Sequence, residues 1–317
     1  MKELCCQSAE ELFLLQKKEW AMLRMGYEAL SEVEERKVRV MNAEFKIQYN
    51  PARLRSSSAR IDKESIAARR CFLCAENRPS EQRGIAWRDY TLIVNPYPIF
   101  PVHFTIPTVK HTDQRIISRF RDMMQLASVL AGYTVFYNGP ECGASAPDHA
   151  HFQAGTSGIM PIEAEVESCE SEIVAQDGEK AALRIVRGLG RMAFVVDSFD
   201  IESGARLFEA LYNALDAKCG KEPMINVLCI WKKDKGWTTI IFPRAKHRPA
   251  CYYAHGDERI LVSPASVDLG GVFITPLKED YNRLTATDLQ VILDEVCIGE
   301  SYAADIVGRI KNKTKIK

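Results

Sequence analysis

The stretch DHAHFQ, residues 148–153, places three polar side chains at alternate positions. Alternate residues of an extended strand project from the same surface, so His149, His151 and Gln153 are predicted to lie on one face. One interpretation is a solvent-facing sheet edge. The Gly-Ala-Ser segment at 143–145 favours another, because glycine lets backbone amides approach an anion and a serine hydroxyl donates to phosphate oxygens. Since a neutral imidazole is a competent nucleophile near pH 7, the stretch predicts nucleophilic chemistry on a phosphate.

The sequence on either side of this stretch contains strand-like and helix-like segments. Apolar periodicity predicts helices at 8–31, from 112 or 113 to about 131, at 201–217 and from Thr285 or Thr287. Strands are predicted at 38–49, 90–94, 103–106, 133–137, 149–153, 182–186, 192–196, 225–231, 238–242, 259–262 and 272–275. Strands in runs with a few long helices favour an α+β fold with an antiparallel sheet.

Residues 53–70 form a basic segment. Its positive side chains surround three consecutive serines, and they are Arg53, Arg55, Arg60, Lys63, Arg69 and Arg70. One interpretation is a mobile surface loop, and the other is a basic flap that approaches a phosphate-bearing ligand.

Composition excludes several functional classes. Lys+Arg and Asp+Glu both number 42, so no overall charge gathers nucleic acid or an anionic membrane. No apolar run of about 18 residues occurs, and acidic side chains interrupt the N-terminal segment, which argues against a membrane span or signal peptide. The 10 cysteines fit reduced thiols. We therefore expect a cytoplasmic protein without nucleic-acid or membrane partners.

A second stretch makes a family resemblance visible. Residues 95–111 read NPYPIFPVHFTIPTVKH, which resembles the Asp-Ile-x-Pro-x-Ala-Pro-x-His-x-x-Val-Ile-Pro-x-x-His stretch of histidine-triad hydrolases. The His-x-His-x-Gln motif at 149–153 resembles that of the branch containing galactose-1-phosphate uridylyltransferases, diadenosine tetraphosphate phosphorylases and GDP-hexose phosphorylases. The similarity is good over 71–155 and weaker over 224–284.

The resemblance implies a fold and a division of the chain. The expected fold is α+β, a histidine-triad-like antiparallel sheet with flanking helices, built from two tandem halves. The first half, residues 1–160, would carry the His-x-His-x-Gln active site. The second half, residues 161–317, would contribute basic residues.

The resemblance also implies roles for single residues. His151 would attack the α-phosphorus and become nucleotidylated, with Gln153 holding the phosphate oxygens in place of the third histidine of the hydrolases. His149 would belong to the same catalytic motif. Nucleotide or phosphate contacts are implied for Asn95, Asn138, Gly143, Ser145, Arg244 and Lys246, with Asn95 in the place of a ribose-contacting aspartate. Arg244 and Lys246 also fit ordinary surface cations.

Cys71-Phe-Leu-Cys74 is a candidate metal knuckle. A structural zinc site needs four ligands, and His111 and His149 can supply the other two. With those histidines the knuckle resembles the metal site of galactose-1-phosphate uridylyltransferases, which implies structural zinc. The alternative is that the cysteines are core thiols and the histidines orient the active site by hydrogen bonds.

These observations lead to one functional hypothesis and two alternatives. The hypothesis is a nucleotidyltransferase or phosphorylase that acts on a nucleoside-diphosphate sugar or dinucleoside polyphosphate through a covalent nucleotidyl-histidine, as a monomer or homodimer. The first alternative is a non-catalytic nucleotide-binding or zinc-stabilised regulatory protein. The second is a nucleotide-conjugate hydrolase.

Overall fold

The strands of the computed structural model, which describes residues 3–54, 63–217 and 221–314, form two sheets. In chain order they are β1 Glu34–Val40, β2 Ala43–Tyr49, β3 Gly84–Trp87, β4 Tyr90–Val94, β5 His103–Pro107, β6 Tyr133–Asn138, β7 His151–Thr156, β8 Ser171–Asp177, β9 Ala181–Val186, β10 Ala193–Ser198, β11 Ile225–Lys232, β12 Gly236–Pro243 and β13 Val272–Thr275. The small sheet has the order β1-β2-β13, with β13 parallel to β2.

Helices flank these sheets. They are α1 Cys6–Glu19, α2 Ala21–Leu30, α3 Lys63–Ala67, α4 Phe120–Val129, α5 Ile162–Ser168, α6 Ile201–Tyr212, α7 Ala250–Tyr253, α8 Ser266–Leu269, α9 Lys278–Arg283, α10 Ala286–Val296 and α11 Glu300–Thr314. Short 3₁₀ turns occupy Pro51–Arg53, Ala75–Asn77 and Gly256–Glu258. None of the helices in the described ranges is long and apolar enough to cross a membrane.

The large sheet is antiparallel throughout and repeats one strand order. From one edge to the centre it runs β3-β4-β5-β7-β6, and from the other edge it runs β8-β9-β10-β12-β11. In each unit a helix, α4 or α6, connects the third strand to the fourth. The two units meet where β6 pairs with β11, so one sheet passes through both. The α+β fold with a large antiparallel sheet is confirmed, and the proposed boundary at residue 160 stays a prediction.

Both faces of the central strands are covered, which explains their apolar sequences. On β11, Val227 packs into the core under α4 and α6, whereas Leu228 packs on the opposite face with the small sheet. The rings of Phe120 and Phe208 stack at 3.8 Å and join α4 to α6. Because neither face meets water, the central strands contain runs of buried residues instead of alternating polar ones.

Some predicted boundaries are wrong for local reasons. The single helix predicted at 8–31 is broken at Trp20, which is extended and 4% exposed, so the indole packs into the core between α1 and α2. The helix predicted from 112 or 113 begins at Phe120, because Thr112 and Gln114 bind the backbone beside β7. The strand predicted at 259–262 is irregular, and Leu261 N donates to a carboxylate.

Glu222 ties the end of β6 to the segment before α4. Its carboxylate accepts hydrogen bonds from the Tyr137 hydroxyl and from Ile116 N, the latter at 2.6 Å. Burial raises the pKa of Glu222 to about 7. Between the ordinary carboxyl pKa and this value the folded state holds the proton more tightly than the unfolded state does, so stability falls as pH rises through the interval.

Glu222→Gln is therefore expected to flatten the pH dependence of stability. The wild-type free energy of unfolding should lose roughly 3 kcal/mol relative to the variant between pH 4.5 and pH 7. Urea denaturation of both proteins at pH 4.5 and pH 7 checks this. Parallel pH profiles for the two proteins would contradict the assignment.

Candidate active site

A cavity of about 620 Å³ opens beside the start of β7. This volume lies within the usual range for small-molecule sites. The cavity wall contains six of the predicted site residues: Asn95, Asn138, Gly143, Ser145, His151 and Gln153. The structure thus brings together residues from β6, from β7, from the loop between them and from the position directly after β4.

His151 is held with one ring nitrogen toward the cavity. Its Nδ1 lies 2.8 Å from the carbonyl oxygen of His149, and a carbonyl can only accept, so Nδ1 carries the hydrogen. Nε2 is then the unprotonated nitrogen. Burial lowers the pKa of His151 to about 4, so the ring is neutral at pH 7. A neutral imidazole with a fixed tautomer is poised to act as a nucleophile.

Gln114, which the sequence analysis did not identify, fixes the backbone of His151. Its Oε1 accepts from His151 N at 2.7 Å, and its Nε2 donates to His151 O and Asn138 O, both at 3.0 Å. The side chain is 1% exposed. One amide therefore joins the ends of β6 and β7 beneath the cavity. No sequence signal marks this glutamine, because it precedes the helix in an irregular segment.

Gln153 is oriented by His103. Ile99 N donates to Nδ1 of His103 at 3.3 Å, so the other ring nitrogen, Nε2, carries the hydrogen and donates to Gln153 Oε1 at 3.0 Å. His103 is fully buried, and burial lowers its pKa to about 3, which keeps the ring neutral. With Oε1 engaged, the amide nitrogen of Gln153 is the group available to donate to a ligand oxygen.

Asn138 is held by three donors. Its Oδ1 accepts from Ser266 N at 2.9 Å, from Ser266 Oγ at 2.6 Å and from Asn226 Nδ2 at 2.8 Å. The amide nitrogen of Asn138 is consequently the end that can donate into the cavity. Asn226 lies opposite Asn138 in the pairing of β11 with β6, so the second unit of the sheet positions a side chain of the first.

Arg244 and Lys246 do not reach the cavity. Arg244 is 5% exposed, and its guanidinium donates to Asn226 Oδ1 at 2.6 Å and to several backbone carbonyls. It therefore braces the Asn226 that holds Asn138. Lys246 is exposed and pairs with Glu295 at 3.2 Å. Neither side chain is placed to contact a phosphate in this cavity.

The cations of the cavity come from the basic segment. Arg53, Arg69 and Arg70 line it, which agrees with the interpretation of 53–70 as a segment that approaches a ligand. Residues 55–62, with Arg55 and Arg60, lie outside the described residues. Arg69 donates to the carbonyl oxygen of Ser145 at 2.6 Å. Its guanidinium is thus placed on the loop that was predicted to receive phosphate.

Gly143 and Asn95 line the cavity, and neighbouring atoms restrict the backbone of the first and the side chain of the second. Gly143 has φ +93°, and a Cβ there would lie 2.5 Å from Cβ of Ala265, so both conformation and space require glycine. Asn95 donates to Thr105 Oγ1 at 3.1 Å and accepts from Tyr97 N at 2.9 Å. If Asn95 contacts a ribose, its side-chain amide makes that hydrogen bond in addition to the two bonds to Thr105 and Tyr97.

His149 departs from the predicted geometry. β7 begins at His151, so His149 precedes the strand in a turn and does not line the cavity with His151 and Gln153. Its Nε2 donates to Thr108 O at 2.8 Å, which leaves Nδ1 unprotonated. The expectation that all three polar residues share one face is wrong, because regular strand pairing with β5 starts only at His151.

Nδ1 of His149 instead joins a cluster with Cys71, Cys74 and His111. One ligand atom from each of the four side chains lies within 4.8 Å of the others, an arrangement that can hold a metal ion. Nε2 of His111 lies 3.4 Å from Asp148 Oδ2, so both histidines turn Nδ1 toward the centre of the cluster. The four predicted ligands are thus brought together.

The fold of this chain is similar to the folds of solved enzyme structures. The crystal structure of yeast Ap4A phosphorylase Apa2 matches with a TM-score of 0.59 over 94% of this chain and 95% of that chain, at 16% sequence identity. The chain has the fold of Ap4A phosphorylase. The same yeast enzyme in complex with Ap4A gives a TM-score of 0.56 over 87% of this chain and 96% of that chain, at 16% identity. The resemblance to the histidine-triad-like branch is thereby confirmed at the level of the fold.

Comparisons of the amino-acid sequence with known proteins give less information about function than the structural comparison does. A family model described as Domain of unknown function (DUF4922) matches residues 12–156. No curated protein matches the sequence. A structure of uridylyltransferase covers 77% of this chain and 91% of that chain, at 14% identity and a TM-score of 0.43.

Proposed function

We propose that this chain is a nucleotidyltransferase or phosphorylase that acts on a nucleoside-diphosphate sugar or dinucleoside polyphosphate through a covalent nucleotidyl-His151 intermediate. The observation that carries the proposal is the fixed tautomer of His151, with Nε2 facing a cavity whose wall presents oriented amide donors and arginines. The shared fold with Ap4A phosphorylase, which has been crystallised with AMP and with Ap4A, supports a nucleotide ligand.

In the first step, Nε2 of His151 attacks the α-phosphorus of the substrate. A P–N bond forms and the bond from that phosphorus to the bridging oxygen breaks, so the sugar phosphate or the nucleoside polyphosphate leaves with the bond's electron pair. The hydrogen bond from Nδ1–H to His149 O stabilises the positive charge that develops on the ring. Donors aimed at the phosphoryl oxygens stabilise the transition state because they need no rearrangement.

In the second step, an acceptor oxygen attacks the nucleotidyl phosphorus and the P–N bond breaks. Nε2 regains its lone pair, and His151 returns to its starting state. Gln153 and Asn138 present amide nitrogens, and Arg69 presents a cation beside the 143–145 loop. Two in-line displacements let leaving group and acceptor use the same pocket in turn, and they predict retention of configuration at phosphorus.

We propose zinc for the Cys71, Cys74, His111 and His149 cluster. Tetrahedral zinc with ordinary Zn–S and Zn–N lengths places sulfur and nitrogen ligands about 3.5 Å apart. The sulfur-to-Nδ1 distances are 3.3 Å for Cys71 to His149, 3.2 Å for Cys74 to His111 and 3.6 Å for Cys74 to His149. The donor set therefore fits zinc. With all four positions taken by protein ligands, the metal would crosslink the knuckle to the strand ends without entering the reaction.

Product analysis with and without inorganic phosphate tests the proposed function. Nucleoside-diphosphate sugars and dinucleoside polyphosphates are incubated with the protein, and released nucleotides are separated. A phosphorylase is expected to release nucleoside diphosphate only when phosphate is present, whereas a transferase requires a sugar phosphate. Release of nucleoside monophosphate in water alone would indicate hydrolysis, and tight nucleotide binding without any exchange would contradict an enzymatic role.

A further inference from the structure

Asp148 lies between the metal cluster and the cavity, and its carboxylate faces a nitrogen donor on each side. Oδ2 lies 3.4 Å from Nε2 of His111, one of the four proposed ligands. Oδ1 lies 3.8 Å from Nη2 of Arg69, which lines the cavity. Each oxygen of a carboxylate can accept hydrogen bonds, so one side chain can serve both partners at once. Asp148 thus forms a bridge from a proposed metal ligand to a cation of the cavity wall.

The guanidinium of Arg69 is held by contacts from different parts of the site. Its Nη2 donates to Ser145 O at 2.6 Å, and its Cζ lies 5.2 Å from the centroid of the Phe72 ring, within the range of a cation–π contact. The ion pair with Asp148 is the third contact. Phe72 belongs to the cysteine knuckle at 71–74 and also lines the cavity. The segment that would hold the metal is therefore also part of the wall that would hold a phosphate.

Two buried atoms of this bridge lack a hydrogen bond. Asp148 Oδ1 and Arg69 Nε are shielded from solvent, and neither has a hydrogen-bond partner among the described residues. An unpaired buried polar atom costs free energy, so shortening the 3.8 Å distance between the two side chains is favourable. Any group that holds one end of the bridge in place therefore promotes this charge-assisted contact.

A metal would hold one end of the bridge, and a phosphate would hold the other. Ligation through Nδ1 fixes the ring of His111 and leaves its Nε2–H to donate to Asp148, the usual support for a ligating histidine. A phosphate beside the 143–145 loop would keep the guanidinium of Arg69 at its place in the wall. Each partner orders part of the bridge in advance, so the other binds at a smaller loss of conformational entropy.

We propose that Asp148 couples the metal cluster to the phosphate end of the cavity, so that zinc and a nucleotide phosphate each strengthen the binding of the other. This coupling rests on the proposed function for the position of the phosphate beside Arg69. Asp148 is then a positioning residue, since it acts through Arg69 and His111 and does not touch the substrate. Because coupling between two sites is reciprocal, the nucleotide must raise zinc affinity by the same factor as zinc raises nucleotide affinity.

Net charge alone does not produce such coupling. Zinc is bound by deprotonated thiols and neutral imidazoles, so two thiolates cancel the two positive charges of the ion. The carboxylate of Asp148 by itself repels a phosphate. A nucleotide that tightens zinc binding would therefore act through the contacts of the bridge.

The zinc affinity of the wild-type protein, measured with and without a nucleotide, tests the proposal. AMP, GMP, CMP and UMP are compared by calorimetry, and the one that binds the zinc-loaded protein most tightly is the probe. Competition with a chelating dye then gives the zinc Kd with and without saturating probe, corrected for the zinc that free nucleotide binds. The probe is expected to lower the Kd about 5-fold or more, the lower end of the usual range for coupled sites. An unchanged or raised Kd, or a protein that takes up no zinc, would overturn the proposal.

Two variants locate the coupling on the bridge. Asp148→Asn is expected to raise the zinc Kd about 10-fold or more, the usual effect of removing the hydrogen-bond partner of a ligating histidine, and to abolish the response to the nucleotide. Arg69→Gln keeps the contact between Asp148 and His111, so its zinc Kd without nucleotide should stay close to the wild-type value while the response is lost. A response that persists in both variants would also overturn the proposal.

Asp113→Asn is the matched control for Asp148→Asn. Asp113 is exposed, lies two residues after His111 and does not line the cavity, so this substitution removes the same charge close to the cluster but outside the bridge. The control should keep both the wild-type zinc Kd and its response to the nucleotide.

The outcome is independent of the test of the proposed enzyme. Zinc affinity and mononucleotide binding need neither turnover nor an adduct on His151. Tighter zinc binding with the nucleotide, in a protein that exchanges no phosphate, would sustain the coupling and remove the catalytic role. Turnover by a protein whose zinc Kd does not respond to the nucleotide would do the reverse.

Discussion

His151→Ala is expected to abolish the nucleotidyl adduct and to lower turnover by about 10⁴-fold or more, the scale found when an enzymatic nucleophile is removed. The reason is that no other described histidine lines the cavity, so no second imidazole in the described wall can form the P–N bond. The protein is incubated with a substrate labelled at the α-phosphorus, and intact-protein mass spectrometry measures addition of one nucleotidyl group.

Two controls keep this experiment decisive. His255→Ala removes a histidine that is exposed and outside the cavity, and it should retain the adduct. Free imidazole should fill the space left in His151→Ala and restore part of the turnover while the protein stays unlabelled. Equal labelling of wild type and His151→Ala would contradict the proposed role of His151 as the nucleophile. Loss of the circular dichroism signal would show that His151→Ala is unfolded. In that case, imidazole rescue of turnover in His151→Gly tests the role instead.

The cysteine knuckle should bind about one zinc per chain and stabilise the fold. Cys74→Ser is expected to lose the metal, and its free energy of unfolding should fall by about 4 kcal/mol or more, the linkage value for a ligand present at about a thousand times its Kd. The cause is that zinc binds the folded arrangement of four ligands and not the unfolded chain. Elemental analysis and denaturant titration measure the two effects.

Cys5→Ser is the matched control for the metal experiment. Cys5 is exposed at the start of α1, outside the cluster, and serine is a favourable residue at a helix N-terminus. If Cys74→Ser fails to fold, treatment of the wild type with a chelator measures the same linkage. Wild-type protein that takes up no zinc and unfolds at the same denaturant concentration with and without chelator would contradict the assignment.

The sequence was most informative where short-range spacing determines the geometry. The stretches at 95–111 and 148–153 contain three predicted residues that line the cavity, Asn95, His151 and Gln153, because neighbouring strands bring their ends to one place. The spacing of Cys71 and Cys74 indicated a metal knuckle, the family resemblance implied His111 and His149 as the other ligands, and the structure brings the four together. The role of His149 was partly misjudged, because a sequence motif does not show where strand pairing begins.

Residues that act through long-range contacts were the ones missed. Gln114 bridges β6 and β7, and Gln16 clamps the segment around Gln82 from α1. Each is a single glutamine without a motif, and only the fold shows what its amide touches. The resemblance implied a phosphate contact for Arg244, with an ordinary surface cation as the alternative, and the sequence did not show that this side chain is buried against Asn226.

The two units share one strand order but differ in the residues at corresponding strands. β12 is the counterpart of β7, yet its sequence, GWTTIIFP, contains no histidine, and the second unit meets the first through Asn226. The first unit thus carries the proposed nucleophile, and the second unit holds the wall residue Asn138 in place. A substitution at Asn226 is therefore expected to disturb the cavity wall through Asn138, although Asn226 itself does not line the cavity.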